Sequence, residues 1–322
     1  MKLTASLSLD LDNKWSYMKT HGDAGWEAFP SYLDLVVPRF LEILDALNLR
    51  ISVFIVGQDA ALASNRAPLQ AISAAGHEIC NHSFAHEPWL HLYAPQQIDD
   101  EIARAEEAIA GATGKRPRGF RGPGFSLSKS VLETLAKRGY AYDCSTFPTY
   151  LGPLARAYYF KTAKLTAEER KERAKLFGGL GEGRRPLHAY RWQLDAGTLL
   201  EIPVTTMPLF KLPFHVSYLL YLCLYSPPLA SLYYRISLAL CRAARVEPSV
   251  LLHPLDFLGG DEVPELAFFP AMRVTGEKKR AWTRDFLARL SRDFNVVSME
   301  QHALELSRRE LRRVVPDLPG AA

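Results

Sequence analysis

Five polar clusters in this chain have residue types and spacings suited to hydrolytic chemistry. The first, Ser8-Leu9-Asp10-Leu11-Asp12-Asn13, closes an apolar run. Side chains two apart on a strand point the same way, so Asp10 and Asp12 would project together from its end. Two carboxylates that close invite a cation, although an Asp-x-Asp also serves as a helix N-cap or Asx-turn. The second, Cys80-Asn81-His82-Ser83-Phe84-Ala85-His86, holds two imidazoles four positions apart. A helical turn would bring both to one face, the spacing at which a metal takes two nitrogen ligands. Histidines so spaced also cap and pack.

In the third, Gly119-Phe120-Arg121-Gly122-Pro123-Gly124-Phe125, glycines let the backbone approach a bound group, and Arg121 could hold a carboxylate by two parallel hydrogen bonds. A Gly-Pro-Gly turn with a solvated arginine is the plainer alternative. The fourth is Tyr142-Asp143-Cys144-Ser145-Thr146. The fifth is Leu251-Leu252-His253-Pro254-Leu255-Asp256, where a histidine leaving a buried strand is placed to move a proton, or is a satisfied core histidine.

All five fall where strands should end. Apolar or β-branched runs of strand length occur at Thr4–Leu9, Ile51–Val56, His77–Asn81, Arg118–Arg121, Tyr140–Cys144, Leu199–Val204, Val250–Leu252 and Asn295–Ser298. Helical patterns alternate with them. Ile98, Ile102, Ala105 and Ile109 make one apolar face, with Pro95 near its start and Gly111 near its end. Val131, Leu132 and Leu135, ended by Gly139, predict a second helix, and Trp282, Phe286, Leu287 and Leu290 a third. This alternation predicts an α/β fold with a parallel, barrel-like sheet, whose chemistry sits on loops after the carboxyl ends of strands.

A chain of 322 residues with 48% hydrophobic and 23% charged residues is globular, which excludes a disordered or collagen-like chain. Its length fits two average domains or one barrel; the motif order favours a single domain over residues 1–322. The net charge of +4 is too small to imply nucleic acid, but Lys161–Arg191 alone holds nine basic and four acidic residues and is read as a basic insertion. Cys80, Cys144, Cys223 and Cys241 form no Cys-x-x-Cys pair and sit among apolar neighbours, as free thiols of a reducing compartment do. The first ten residues reach Asp10 before a signal-peptide core can form, so a cytoplasmic protein is expected.

With these motifs in this order, the sequence resembles the polysaccharide deacetylase family, the group sharing the NodB homology region, over most of the chain. The likeness rests on the acidic pair after the first strand, His82-Ser83-x-x-His86, Arg121 with Pro123, a glycine and an aromatic, Tyr142-Asp143, and the late Leu252-His253. It implies that Asp12, His82 and His86 bind one divalent metal, zinc first, with cobalt, iron, nickel or manganese as alternatives. It implies that Asp10 is the general base held by Arg121, and that His253 is the general acid tuned by Asp143 or Asp256. The implied fold is a distorted (β/α) barrel of seven or eight parallel strands. Many members have adjacent aspartates, whereas Asp10-Leu11-Asp12 is the variant of relatives acting on smaller or lipid-linked substrates.

From Ile202 to Val246 there is no Asp or Glu, while Lys211, Arg235, Arg242 and Arg245 are present. Phe214, Tyr218, Leu219, Leu222 and Tyr225 would share one helical face, and after Ser226-Pro227-Pro228 a second helix would carry Leu229, Leu232, Tyr233, Ile236 and Leu240. Residues 209–245 thus predict a helical hairpin whose halves are too short to cross a bilayer of about 30 Å. Such a hairpin suits the membrane interface, the barrel itself or an oligomer contact. The expected function is metal-dependent removal of an acetyl or formyl group from an amino sugar, polyprenyl-phosphate-linked or in an envelope glycan precursor, at the inner membrane face. A soluble amidase on a small amide and a non-catalytic glycan- or lipid-binding protein are the alternatives.

Overall fold

The first strand, β1 (Thr4–Asp10), is buried at every position and pairs on both edges, which makes it the centre of the architecture. The structure, a computed structural model, describes residues 2–154, 157, 161 and 179–318. After β1 come α1 (Lys14–His21), α2 (Leu33–Ala46), β2 (Ser52–Ile55), α3 (Gly57–Ala61), α4 (Arg66–Ala74), β3 (Glu78–Asn81), α5 (Pro95–Thr113), β4 (Gly119–Phe120), α6 (Lys129–Lys137) and β5 (Tyr142–Asp143). The later part holds β6 (Tyr190–Leu194), β7 (Gly197–Glu201), α7 (Val216–Cys223), α8 (Pro227–Ala243), β8 (Ser249–Leu252), α9 (Gly276–Asp293), β9 (Asn295–Val297), α10 (Met299–Ser307) and β10 (Arg313–Val314).

The strand order is β10-β6-β7-β5-β4-β3-β2-β1-β8, with β9 also on β1. In register, Leu9 lies between Val53 and Leu252, so the end of β1 meets the ends of β2 and β8. Each run expected as a strand forms one, most of them shortened. Two features differ from expectation. First, β6 joins β7 antiparallel through Asp195-Ala196, so the sheet is mostly rather than wholly parallel. The alternation that makes β6 a strand, Tyr190, Trp192 and Leu194 inward with Arg191 and Gln193 between, begins inside the stretch read as a basic insertion. Second, the strand path ends at β8 and β10, which do not pair, so hydrogen bonds do not close the expected barrel among the described residues.

The helices follow their apolar periodicity. Ile98, Ile102, Ala105 and Ile109 of α5 are fully buried, Pro95 opens the helix, and Gly114 ends it in a left-handed conformation three residues beyond Gly111. The main core lies around β1 and β2 and includes Phe40, Leu44, Leu219, Leu238 and Leu287, each side chain contributing about 1.5–3 kcal/mol on burial. The hairpin forms as α7 and α8, but the face expected on its first half divides. Phe214 and Leu219 enter the core, whereas Tyr218 and Tyr225 face outward. No helix among the described residues is long and apolar enough to cross a membrane. Most of the stretch 161–191 lies outside the described residues.

Candidate active site

Asp10 ends β1, and Asp12 follows it in the loop to α1. Asn13, rather than Asp12, caps α1: its Oδ1 accepts from Lys14 N at 2.8 Å and from Tyr32 N at 3.1 Å. The backbone of Asp12 is held by Tyr32, whose hydroxyl donates to the Asp12 carbonyl at 2.5 Å. That arrangement leaves the Asp12 carboxylate for His82 and His86.

His82 follows β3 directly. Its Nδ1 donates to the Arg121 carbonyl at 2.7 Å, which fixes the tautomer and leaves the Nε2 lone pair facing Asp12 Oδ1 at 3.4 Å. His86 reaches the same oxygen, Nε2 to Oδ1 2.9 Å. The expected helical turn does not form. Instead Ser83 and His86 adopt left-handed backbone conformations, φ 61° and 53°, that turn the loop back on itself. Asn81 Oδ1 accepts from Ser83 N, Glu101 Oε2 on α5 accepts from Phe84 N and Ala85 N, and Lys19 on α1 pairs with Glu87. Trp15 of α1 stands edge-on to His86, ring centroids 6.4 Å apart.

Asp12, His82 and His86 offer ligand atoms that all lie within 4.8 Å of one another. Asp12 Oδ1 and His86 Nε2 are buried and make no hydrogen bond despite their approach. Two buried polar atoms that make no hydrogen bond, lying with a third ligand atom around one point, fit a divalent cation of the zinc type. Burial alone would raise the Asp12 pKa, but His86 and His82 outweigh it and hold the carboxyl well below its usual range. Burial would lower His82, but Asp10 and Asp12 outweigh it and raise the imidazole.

Arg121, fully enclosed, binds Asp10 through one nitrogen rather than by the expected parallel pair: Nη1 lies 2.5 Å from Asp10 Oδ1 and 3.1 Å from Ser8 Oγ. Its Nε donates to the Cys144 carbonyl, and its guanidinium lies over the Phe54 ring at 4.3 Å. The other Asp10 oxygen, Oδ2, faces His82 Nε2 at 4.0 Å. Gly122 is required where it stands, because a Cβ would meet the Ser126 carbonyl at 2.1 Å.

His253, at the end of β8, is held by a relay the sequence reading missed. Ser217 Oγ, in the first turn of α7, donates to Asp256 Oδ1 at 2.8 Å and accepts from His253 Nδ1 at 3.0 Å, while Asp256 Oδ2 accepts from His253 N. Burial raises the Asp256 carboxyl, with His253 opposing. Asp143 does not share this role: it takes both hydrogen bonds of Ser145 and faces Glu201, and burial raises both carboxyls. Burial, and then the charges of Asp12, Asp256 and Asp10 among others, raise the Tyr17 hydroxyl.

Three further residues were not legible in advance. Asp59, pushed up to about 7 by burial, accepts from Asn13 and Trp15 and so steadies the Asp12 loop. Glu201 accepts from Thr146 and Trp192 beneath Asp143. His215 is buried with its ring 6.0 Å from that of His253, and burial holds it well below the usual imidazole range. It lies between Phe147 and Tyr218, and Phe147 stacks on Phe125.

Fold and site together define a mostly parallel α/β protein whose strand ends gather an Asp-His-His cluster, an arginine-held carboxylate and a relayed histidine. Residues 23–142 match the family model described as polysaccharide deacetylase. The span contains His82, His86 and Arg121; Asp10, Asp12 and His253 lie outside it. The chain is 31% identical over 109 residues to a peptidoglycan deacetylase of Helicobacter pylori, covering 34% of this chain and 36% of that protein. It is 31% identical over 105 residues to a chitooligosaccharide deacetylase of a Bradyrhizobium species, covering 32% and 47%. The chain thus spans between about a third and a half of the curated relatives it matches. A solved Mycobacterium smegmatis structure assigned to the polysaccharide deacetylases aligns over 99% of this chain and 96% of its own, with TM-score 0.61 and 20% identity, a likeness of fold.

Proposed function

We propose that the protein is a metal-dependent hydrolase that removes an N-acyl group, acetyl or formyl, from an amino sugar carried on a polyprenyl phosphate or in an envelope glycan precursor. The observation that carries this reading is the convergence of Asp12, His82 and His86 on one point beside a separate carboxylate, Asp10, whose inner oxygen is taken by Arg121. A divalent cation held by Asp12, His82 and His86 supplies Lewis acidity and lowers the pKa of a water beside it.

The chain's own residues divide the proton traffic. Arg121 fixes Asp10 Oδ1, so Oδ2 is the atom turned toward the cluster and available to take a proton from the attacking water. His253, with its Nδ1–H committed to Ser217, can give the Nε2 proton of its doubly protonated ring to the departing amine. Phe125, Phe147, His215 and Tyr218 form a continuous chain of ring contacts, Phe125 stacked on Phe147 and Tyr218 perpendicular to the buried His215, and aromatic groups of this kind suit the apolar face of a sugar. The names of the matched relatives, deacetylases of peptidoglycan and chitooligosaccharide, support amide hydrolysis on a glycan. The four buried free cysteines suit a reducing compartment, which supports a reading of the reaction at the cytoplasmic face of the membrane.

The test is direct. Purified protein is incubated with N-acetyl and N-formyl amino sugars, free and polyprenyl-phosphate-linked, and free amine is measured before and after chelation and zinc return. Amine release that chelator stops and zinc restores supports the reading; no amine from any of these substrates with metal present refutes it.

A further inference from the structure

We propose that the outer face of the α7–α8 hairpin, with the loop before it, is a docking surface for an anionic lipid bilayer. This deepens the lipid-linked reading of the substrate given above. The hairpin's inner side already satisfies the core: Val216, Leu219, Leu220, Ala230, Tyr234 and Leu238 are buried. Packing therefore gives no reason for what lies outside. Tyr218 and Tyr221 on α7 and Tyr225 in the turn after it form one exposed row, and Leu229, Leu232 and Ile236, 54%, 50% and 46% exposed, form a second on α8. Both rows follow i, i+3, i+7 spacing, so each is one continuous stripe. Exposed apolar residues standing singly are ordinary, but adjoining rows mark an interaction surface.

The preceding loop extends the patch. Leu209 and Phe210 are 82% and 61% exposed at its tip, and Leu209 holds φ 71°, a left-handed conformation that a branched side chain adopts at a cost. Tyr233 of α8 donates to the Pro213 carbonyl at 2.8 Å, which seats this loop against the hairpin. A strained leucine held out in water gains nothing from folding and gains from insertion among acyl chains.

The charge pattern selects the occupant. Ile202–Val246 carries no acidic residue. Beside the leucine row, between α8 and α9, lies a cavity of about 550 Å³ lined by Arg235, Arg289, Arg292, Trp282, Tyr234 and Asp285 among others. Arg289 pairs with Asp293, whereas Arg235 and Arg292 make no ion pair among the described residues. Arginines and tyrosines around an apolar stripe match the headgroup and acyl layers of an anionic membrane. A two-fold contact with a second copy would instead set this arginine group against its own image. The surface also begins at the site: Tyr218 is the residue after Ser217, which holds His253. A substrate tethered to lipid would meet the site at the membrane plane.

The test is co-sedimentation of the full chain with vesicles of phosphatidylglycerol and phosphatidylcholine, compared with phosphatidylcholine alone. Wild type is expected to pellet with the anionic vesicles and to be released by salt. Leu232→Glu/Ile236→Glu and Phe210→Ser are expected to stay in solution with unchanged near-ultraviolet circular dichroism and melting temperature. Arg235→Gln/Arg292→Gln is expected to bind the anionic vesicles about tenfold more weakly or worse. Wild type remaining in solution at low salt overturns the proposal, as does equal pelleting with both vesicle types. A concentration-dependent dimer abolished by Leu232→Glu/Ile236→Glu, without pelleting, overturns it in favour of a second copy. No turnover is measured, so this surface and the proposed hydrolysis can fail separately.

Discussion

Arg121 Nη1 stands 2.5 Å from Asp10 Oδ1 with neither side chain open to solvent. Arg121 directly follows β4 and Asp10 ends β1, 111 positions apart. Within the enclosure Arg121 is also held by Ser8, Cys144 and the face of Phe54, so it sets the angle of the carboxylate rather than following it.

Removing one member of such a pair strands the other charge in a dry environment. Arg121→Met is expected to lower stability by about 3–5 kcal/mol, and Arg121→Met/Asp10→Asn to recover part of that loss. Urea denaturation of these two and of Asp10→Asn alone measures it; losses that simply add would show that the two groups do not interact.

The two aspartates are expected to separate by metal content. Asp10→Asn should abolish hydrolysis and keep the metal, whereas His86→Ala or Asp12→Ala should lose the metal as well. Metal analysis after dialysis reads this, and equal loss in Asp10→Asn and His86→Ala would mean that the aspartate roles are reversed.

Ser217 links His253 to Asp256, and its effect should fall on turnover rather than on substrate binding. Ser217→Ala is expected to reduce kcat by about ten- to a hundredfold with KM little changed, and Ser217→Thr to restore much of it. A change confined to KM would place Ser217 in substrate contact instead.

Far from the site, His77 gives the stability a pH dependence. Its Nδ1 accepts from Ile51 N at 3.2 Å, and burial with the nearby Arg50 lowers its pKa to about 4. A proton there would turn the acceptor into a donor. As pH falls below about 6.5 the unfolded chain takes up a proton that the folded chain refuses until about pH 4, so stability drops through that window by up to about 3 kcal/mol. His77→Asn should flatten the slope between these values in thermal melts; an unchanged slope would assign it to another group.

Much of this was legible because strand ends announce themselves. Apolar runs of the right length located β1, β3 and β8, and polar residues just beyond them could be read as candidates without knowing what they face. What stayed hidden depends on distant partners or on unusual backbone. Ser217 looks like an ordinary residue opening an apolar helix, and its meaning comes from His253 and Asp256, 36 and 39 positions later. Asp59 sits in a short helix and matters only because Asn13 and Trp15 turn to it. Four-residue spacing brings His82 and His86 together if the loop makes a helical turn. The structure uses left-handed Ser83 and His86, and neither residue type advertises that conformation as glycine would. The outward row of Leu229, Leu232 and Ile236 was visible as a periodic apolar face, but periodicity does not say which face a protein turns inward.

β1 is bonded to β2 along one edge and to β8 and β9 along the other, with every residue enclosed. Backbone amides at Leu7 and Leu9 should therefore be among the slowest in the molecule to exchange with solvent, opening only when the whole domain does. The carboxylate of Asp10, proposed above as the proton acceptor, sits at the tip of that strand and is already in place before any substrate arrives, so little binding energy would be diverted into ordering it.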